Sequence, residues 1–210
     1  MTEPTVFIVD DDASICEGLT NLLESIGIRS ESFGSAEAFR AAWNESHPGC
    51  LLLDARLPGV SGVDLLEQLN SSGAKLPIIF MTAHGDVPMV RKVMKAGAIE
   101  FLTKPFQKEE LLHAVRQAFD QDRARREQDA IVSEIKERIN SLSDREREVM
   151  GMVTAGLLNK QIASELNLSE ITVKIHRRRV MDGMQAGSLA ELVKLCERAR
   201  FPSWKVAPPQ

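Results

Sequence analysis

The 210-residue chain has only three cysteines, Cys16, Cys50 and Cys196, odd in number and far apart. They form no CxxC pattern, which excludes zinc-ribbon and dithiol redox chemistry and leaves buried thiols in a reducing cytoplasm as the reading. No apolar run approaches the roughly 20 residues of a membrane span, so no membrane partner is expected. The opening MTEPT carries Glu3 and Pro4 and no basic cluster, so it does not read as a secretory signal. Glycine and proline are absent from residues 120–140, which excludes a flexible or turn-rich tether there.

What remains is a globular composition, 43% hydrophobic, at a length that suits one or two domains. Charge separates along the chain. Residues 1–120 hold 10 Lys/Arg against 17 Asp/Glu, whereas residues 121–210 hold 16 against 13. An acidic front and a mildly basic back imply two modules with different partners.

In the front module, short apolar runs at 6–9, 50–53, 78–81 and 99–102, with a weaker one at 28–33, alternate with helical-period stretches. Ser35, Ser61 and Asp86 suit helix starts, and Gly27, Gly73 and Gly97 suit helix ends. Strand and helix repeated five times predict a parallel, doubly wound sheet, whose functional crevice lies beyond the carboxyl ends of its strands. Those ends carry Asp10 and Asp11, Asp54, Thr82 and Lys104. Any one aspartate there is most simply a helix cap. Four strand ends with complementary groups are a stronger signal. Adjacent carboxylates need a cation to stay ionised together, and oxygen ligands suit Mg²⁺ or another hard divalent ion. A carboxylate can also attack phosphorus to give an acyl phosphate, with Lys104 holding phosphoryl oxygens and Thr82 donating a hydrogen bond to them.

IVDDDASI, LLLDARLPGVSG, FMTAHGD and FLTKPF, in that order, resemble the signature blocks of the two-component response-regulator receiver domain over about residues 4–120. The resemblance implies a flavodoxin-like (βα)₅ fold. It also implies that Asp54 is the phosphoacceptor, served by a sensor histidine kinase that docks on the first helix around Ala13, Ile15, Cys16 and Leu19. By motif position, Asp10, Asp11, Asp54 and the backbone carbonyl of Arg56 would hold the metal, Asp11 directly and Asp10 through water. Thr82, Lys104 and Phe101 match the switch positions, although Phe101 also suits a core aromatic. Lys104-Pro105 resembles the family's cis peptide. Asp12 lies outside the motif and reads as a helix cap or a solvated charge, and His84 as a surface loop residue.

Residues 121–141 read as a helical linker, with Ala130, Ile131, Ile135 and Ile139 as a thin apolar stripe that suits a solvated helix or a short coiled coil. Beyond it, residues 142–205 are helical throughout. Ser143 to Glu146 form a capping box, Gly156 ends a helix, a short helix runs from about Asn159, Asn167-Leu168 make a tight turn, and Ser169 caps EITVKIHRRRV. Two helices joined by a short turn, the second basic, follow helix-turn-helix logic.

LSDREREVM, GLLNKQIA and LSEITVKIHRRRVM resemble the LuxR-type four-helix domain of NarL/FixJ response regulators, over about residues 141–200. The HGDVPM block and the length suggest the FixJ-like subgroup. The resemblance implies double-stranded promoter DNA as a partner, with Lys174, Ile175 and Arg178 at base edges, Lys160, Thr172, Arg177 and Arg179 at phosphates, and His176 at either or packed. The last helix, with Leu189, Leu192, Val193 and Cys196, suits a dimer contact or core. The family usually carries Lys where this chain has Gly183, so one backbone contact is missing and Asp182 adds repulsion. The expectation is a cytoplasmic, phosphorylation-controlled transcriptional activator, homodimeric when phosphorylated, with RNA polymerase as a further partner. It is not an enzyme beyond its own phosphoryl transfer and dephosphorylation. A constitutive DNA-binding protein with a silent receiver, and a metal-dependent phosphatase, are the alternatives. The intact Asp10, Asp11, Asp54, Thr82, Lys104 set argues against the first. The absence of a substrate-binding insertion argues against the second.

Overall fold

The computed structural model describes residues 3–83, 87–202 and 204. His84 and Asp86, expected as a surface residue and a helix cap, lie outside the described residues. The chain divides into two compact units, Met1–Arg126 and Glu127–Gln210.

The first unit runs β1 (Thr5–Val9), α1 (Ala13–Glu24), β2 (Arg29–Phe33), α2 (Ala36–Ala42), β3 (Gly49–Asp54), α3 (Gly62–Ser71), β4 (Ile78–Thr82), α4 (Val87–Lys95), β5 (Glu100–Thr103) and the first part of α5 (Lys108–Ser141). The five strands are parallel in the order β2-β1-β3-β4-β5. β1, β3 and β4 are buried at every residue, which is why they read as unbroken apolar runs. β2 lies at the sheet edge and has only exposed and half-buried residues, hence its weak signal.

The strand period of two sorts the core into two layers. Phe7, Val9, Leu51, Leu53 and Phe80 face Phe39, Leu65, Leu66 and Val93 of α2, α3 and α4. Val6, Ile8, Cys50, Leu52 and Met81 face Leu19 and Leu23 of α1 and Leu111 and Val115 of α5. The sequence signals for helix starts hold where they are described. Ser35 Oγ accepts from the Ala38 N–H and Ser61 Oγ from the Asp64 N–H, at 3.1 and 3.2 Å. Asp12 resolves to a cap, its Oδ1 accepting from the Ser14 N–H at 2.9 Å. The Lys104–Pro105 peptide bond is cis.

Residues 121–141 are helical and continue α5. Their first part is fastened to the first unit by Asp122, which is 2% exposed. Its carboxylate accepts from the Gly49 N–H at 3.0 Å and from Arg126 Nε at 2.7 Å, and also pairs with Arg125. Arg126 in turn donates to the carbonyls of Glu45, Ser46 and His47, just before β3. A carboxylate can be buried only when its charge and lone pairs are matched, and two guanidiniums and an amide do so here. The second part supplies Ile135 and Ile139, 2% and 6% exposed, to the core of the second unit. The apolar stripe therefore packs inward, and of its isoleucines only Ile131 is exposed.

Around that stripe the second unit folds α6 (Asp144–Thr154), α7 (Asn159–Leu166), α8 (Glu170–Gly183) and α9 (Leu189–Arg198). Ser143 and Glu146 close the expected capping box. Asn167, left-handed at φ 51°, turns the chain between α7 and α8, and Ser169 caps α8. Leu192 and Cys196 of α9 are core, whereas Leu189 is 43% exposed.

Two predictions follow from these contacts. Asp122→Ala should cost the full chain about 2–4 kcal/mol, because the Gly49 N–H is left buried without an acceptor and two guanidiniums lose their counter-charge. Guanidinium unfolding followed at Trp43, in the first unit, measures it. The Glu146 carboxyl lies below the usual carboxylate range, because the Ser143 hydroxyl and amide both donate to it; burial opposes them, and the charge of Arg179 assists. A depressed folded pKa stabilises above the unfolded value, near 4.5, and that stabilisation is lost as pH falls through the folded one. Thermal unfolding should therefore show wild type ahead of Glu146→Gln at neutral pH, with the gap closing below about pH 4.5.

Candidate functional site

Strand order reverses between β1 and β3, so the crevice of the first unit opens beyond their carboxyl ends. β1 delivers Asp10 and β3 delivers Asp54 to that point, 1% and 7% exposed respectively. Lys104, just past β5, reaches both: its Nζ lies 2.5 Å from Asp10 Oδ2 and 2.6 Å from Asp54 Oδ1. Burial alone would lower the Lys104 pKa, but hydrogen bonds to Asp10 and Asp54, reinforced by their charges, raise it above the ordinary lysine value. The ammonium is therefore a fixed cation at physiological pH.

The remaining carboxylate oxygens are engaged by backbone. Asp10 Oδ1 accepts from the Asp12 N–H at 3.0 Å, and Asp54 Oδ2 from the Arg56 N–H at 2.5 Å. Thr82, at the end of β4, is 1% exposed, and its carbonyl accepts from the Lys104 N–H at 2.7 Å. That bond ties the hydroxyl-bearing strand end to the lysine. Phe101 on β5 is half-buried against the α2–α3–α4 layer. Asp11 and Arg56 are exposed. Thus Asp10, Asp54 and Lys104 are in direct contact, Thr82 adjoins them through backbone, and Asp11 stands outside the cluster. Among the described residues, no three His, Cys, Asp or Glu side chains close on one point.

Two carboxylates sharing one ammonium leave a buried excess of one negative charge, with oxygen donors only. That donor chemistry fits a hard divalent cation. Gly62 is a site residue that the sequence did not single out. A Cβ built there would lie 2.1 Å from the Asp54 carbonyl oxygen, so only glycine lets the start of α3 close on the backbone of Asp54. The glycine is visible in LLLDARLPGVSG, but its close approach joins chain segments eight residues apart and leaves no local signal.

In the second unit, α8 packs against α6 and α7 through Val173 and Val180, 0% and 1% exposed. This turns Lys174, Ile175, Arg178 and Arg179 outward, and Lys160 of α7 is also exposed. Thr172, His176 and Arg177 are half-buried. The Thr172 hydroxyl lies 2.9 Å from Ser169 Oγ within the α8 cap, and Arg179 lies 3.9 Å from Glu146 of α6. Gly183 proves to be a packing position: a Cβ there would lie 2.7 Å from Leu142 Cδ2. Leu142 is buried in the core, so the missing Lys makes room for it.

A doubly wound parallel sheet with an Asp–Lys–Asp cluster at its switch point, joined to a helix-turn-helix unit, defines a receiver coupled to a DNA-binding output. The response regulator receiver domain profile matches residues 6–116, and that of the luxR family of bacterial regulatory proteins matches residues 140–196. Nodulation protein W of Bradyrhizobium diazoefficiens is 47% identical over 196 residues, 93% of this chain and 86% of that protein. Transcriptional regulatory protein FixJ of the same species is 40% identical over 198 residues, 94% and 97% of the two chains. The solved response regulator StyR is 46% identical with a TM-score of 0.82, covering 94% of this chain and all of that one. The chain belongs to the NarL/FixJ family of two-component response regulators, and is a transcription regulator rather than a classical enzyme. Among the described residues no helix is long and apolar enough to cross a membrane.

The packing at Gly183 separates two effects that the sequence merged. Gly183→Lys should steepen the slope of log affinity for DNA against log salt by about 0.9, one added phosphate contact. Gly183→Ala perturbs only Leu142 and should leave the slope unchanged. Equal slopes in wild type and Gly183→Lys would refute a missing backbone contact.

Proposed function

We propose that Asp54 accepts a phosphoryl group from a phosphohistidine of a sensor kinase, and that this event controls promoter binding by the second unit. The observation that carries the reading is the Lys104 ammonium held against both Asp10 and Asp54 at the switch point. In the transfer, an Asp54 carboxylate oxygen forms the new P–O bond as the P–N bond to histidine breaks, and the electron pair leaves with the imidazole. Lys104 is placed to exchange its pairing with Asp54 for the incoming phosphoryl oxygens, as a point charge on a short tether. Asp10, Asp11, Asp54 and the Arg56 carbonyl would hold Mg²⁺, which when bound offsets the negative charge shared by carboxylates and phosphate.

Thr82 and Phe101 respond to the new group. The Thr82 hydroxyl donates to a phosphoryl oxygen, Phe101 moves inward, and the α4-β5-α5 face is remodelled. That change frees the DNA-binding unit or pairs it in a homodimer, which reads two half-sites on double-stranded DNA. Lys174, Ile175 and Arg178 face base edges, with Lys160, Thr172, His176, Arg177 and Arg179 around them toward the backbone. Promoter occupancy leads to activation, in contact with RNA polymerase. The three cysteines are unpaired, which suits work in the cytoplasm.

The test is incubation with a small phosphodonor and Mg²⁺, read by intact-mass spectrometry and DNA binding. Wild type should gain an acyl phosphate and bind DNA more tightly, whereas Asp54→Asn should do neither. Asp11→Asn should lose the Mg²⁺-dependent reaction. Asp12→Ala should keep it while losing about 1 kcal/mol of helix capping. Unmodified wild type would reject the phosphoacceptor reading. Greater sensitivity at Asp12 than at Asp11 would place the pocket one residue along.

A further inference from the structure

The outward face of α8 mixes two kinds of side chain. Ile171, Lys174, Ile175 and Arg178 fall at i, i+3, i+4 and i+7, one stripe of a helix. Ile171 is 71% exposed and Ile175 49%, and Lys174 and Arg178 are exposed beside them. A single surface isoleucine needs no explanation. Two of them one turn apart, interleaved with cations in the first half of a helix-turn-helix recognition helix, ask for an occupant with both apolar and electronegative features. A protein partner fits poorly, because interface cores are depleted in lysine. The major groove fits both, since guanine N7 and O6 accept from Lys and Arg while the thymine C5-methyl packs on apolar side chains.

We infer that Ile171 and Ile175 form a methyl-reading pair, through which the second unit selects thymine at two positions of its DNA site. This rests on the DNA-binding reading above and adds Ile171 as a specificity-determining residue. Ile171 is in the first turn of α8, and the N-terminal residues of a recognition helix are those that meet base edges. Four helical residues rise about 6 Å and base pairs stack about 3.4 Å apart, so the two methyl groups lie about two base pairs apart. Lys174 and Arg178 sit on the same stripe, where each meets a purine edge near those thymines. Asp182 continues the stripe, 3.8 Å from Arg178. Its charge opposes phosphate and confines groove contact to the part of the helix up to Arg178.

The test uses the full-length chain treated with a small phosphodonor and Mg²⁺ to select duplexes from a random pool. Each thymine of the selected site is then replaced by deoxyuridine, which lacks only the methyl group. Wild type should lose about fourfold in Kd at each of two positions about two base pairs apart, the worth of one buried methyl group. In Ile171→Ala one of these losses should vanish and the other persist, and Ile175→Ala should show the converse. Both residues are exposed, so neither variant removes a core contact. Deoxyuridine without effect at every position, or with undiminished effect in both variants, overturns the proposal while the DNA-binding reading stands. A chain that selects no duplex overturns both.

Discussion

The Lys104 ammonium lies between Asp10 and Asp54 at hydrogen-bonding distance from each, and this contact sets demands on the rest of the first unit. Three residues far apart in sequence meet only because β1, β3 and β5 run parallel and end at the same edge. A one-residue slip in any of these strands would turn its layer of core side chains toward the opposite face. The alternation that sends Val9 and Leu53 to one layer and Ile8 and Leu52 to the other therefore also fixes where the chain emerges with Asp10 and Asp54. Gly62 completes the constraint by letting the next helix close on the Asp54 carbonyl. The pocket gathers two carboxylates around one ammonium, with oxygen donors only.

The second unit rests on ordinary packing. Ile135 and Ile139 join the cores of α6, α8 and α9 and hold α8 so that its basic and apolar stripe faces outward. The capping box at Ser143 and the left-handed turn at Asn167 set the helix ends on which that orientation depends. Both units thus draw on α5, whose Asp122 belongs to the first and whose Ile135 belongs to the second.

Much of this was legible in the sequence. The buried parallel strands were readable as apolar runs because both of their faces are covered, and the strand ends carried their chemistry in local order. Ser35, Ser61, Ser143 and Ser169 announced helix starts because capping is a contact over two or three residues. The signal failed where contacts are distant. The Asp122 cluster reaches back to Gly49, Ile135 and Ile139 have partners in helices not yet begun, and Gly183 is explained only by Leu142.

The sequence by itself determined the class of protein, the two kinds of unit and which polar groups stand at the strand ends, because periodicity, caps and motif order are properties of neighbours along the chain. Only the tertiary structure decided that Lys104 pairs with both Asp10 and Asp54 while Asp11 stays exposed, that Asp122 fastens to the first unit while Ile135 and Ile139 pack in the core of the second, and that Ile171 lies on the open face of α8. Each of these depends on which distant side chains compete for the same space or the same charge, and that competition arises only once the chain has folded.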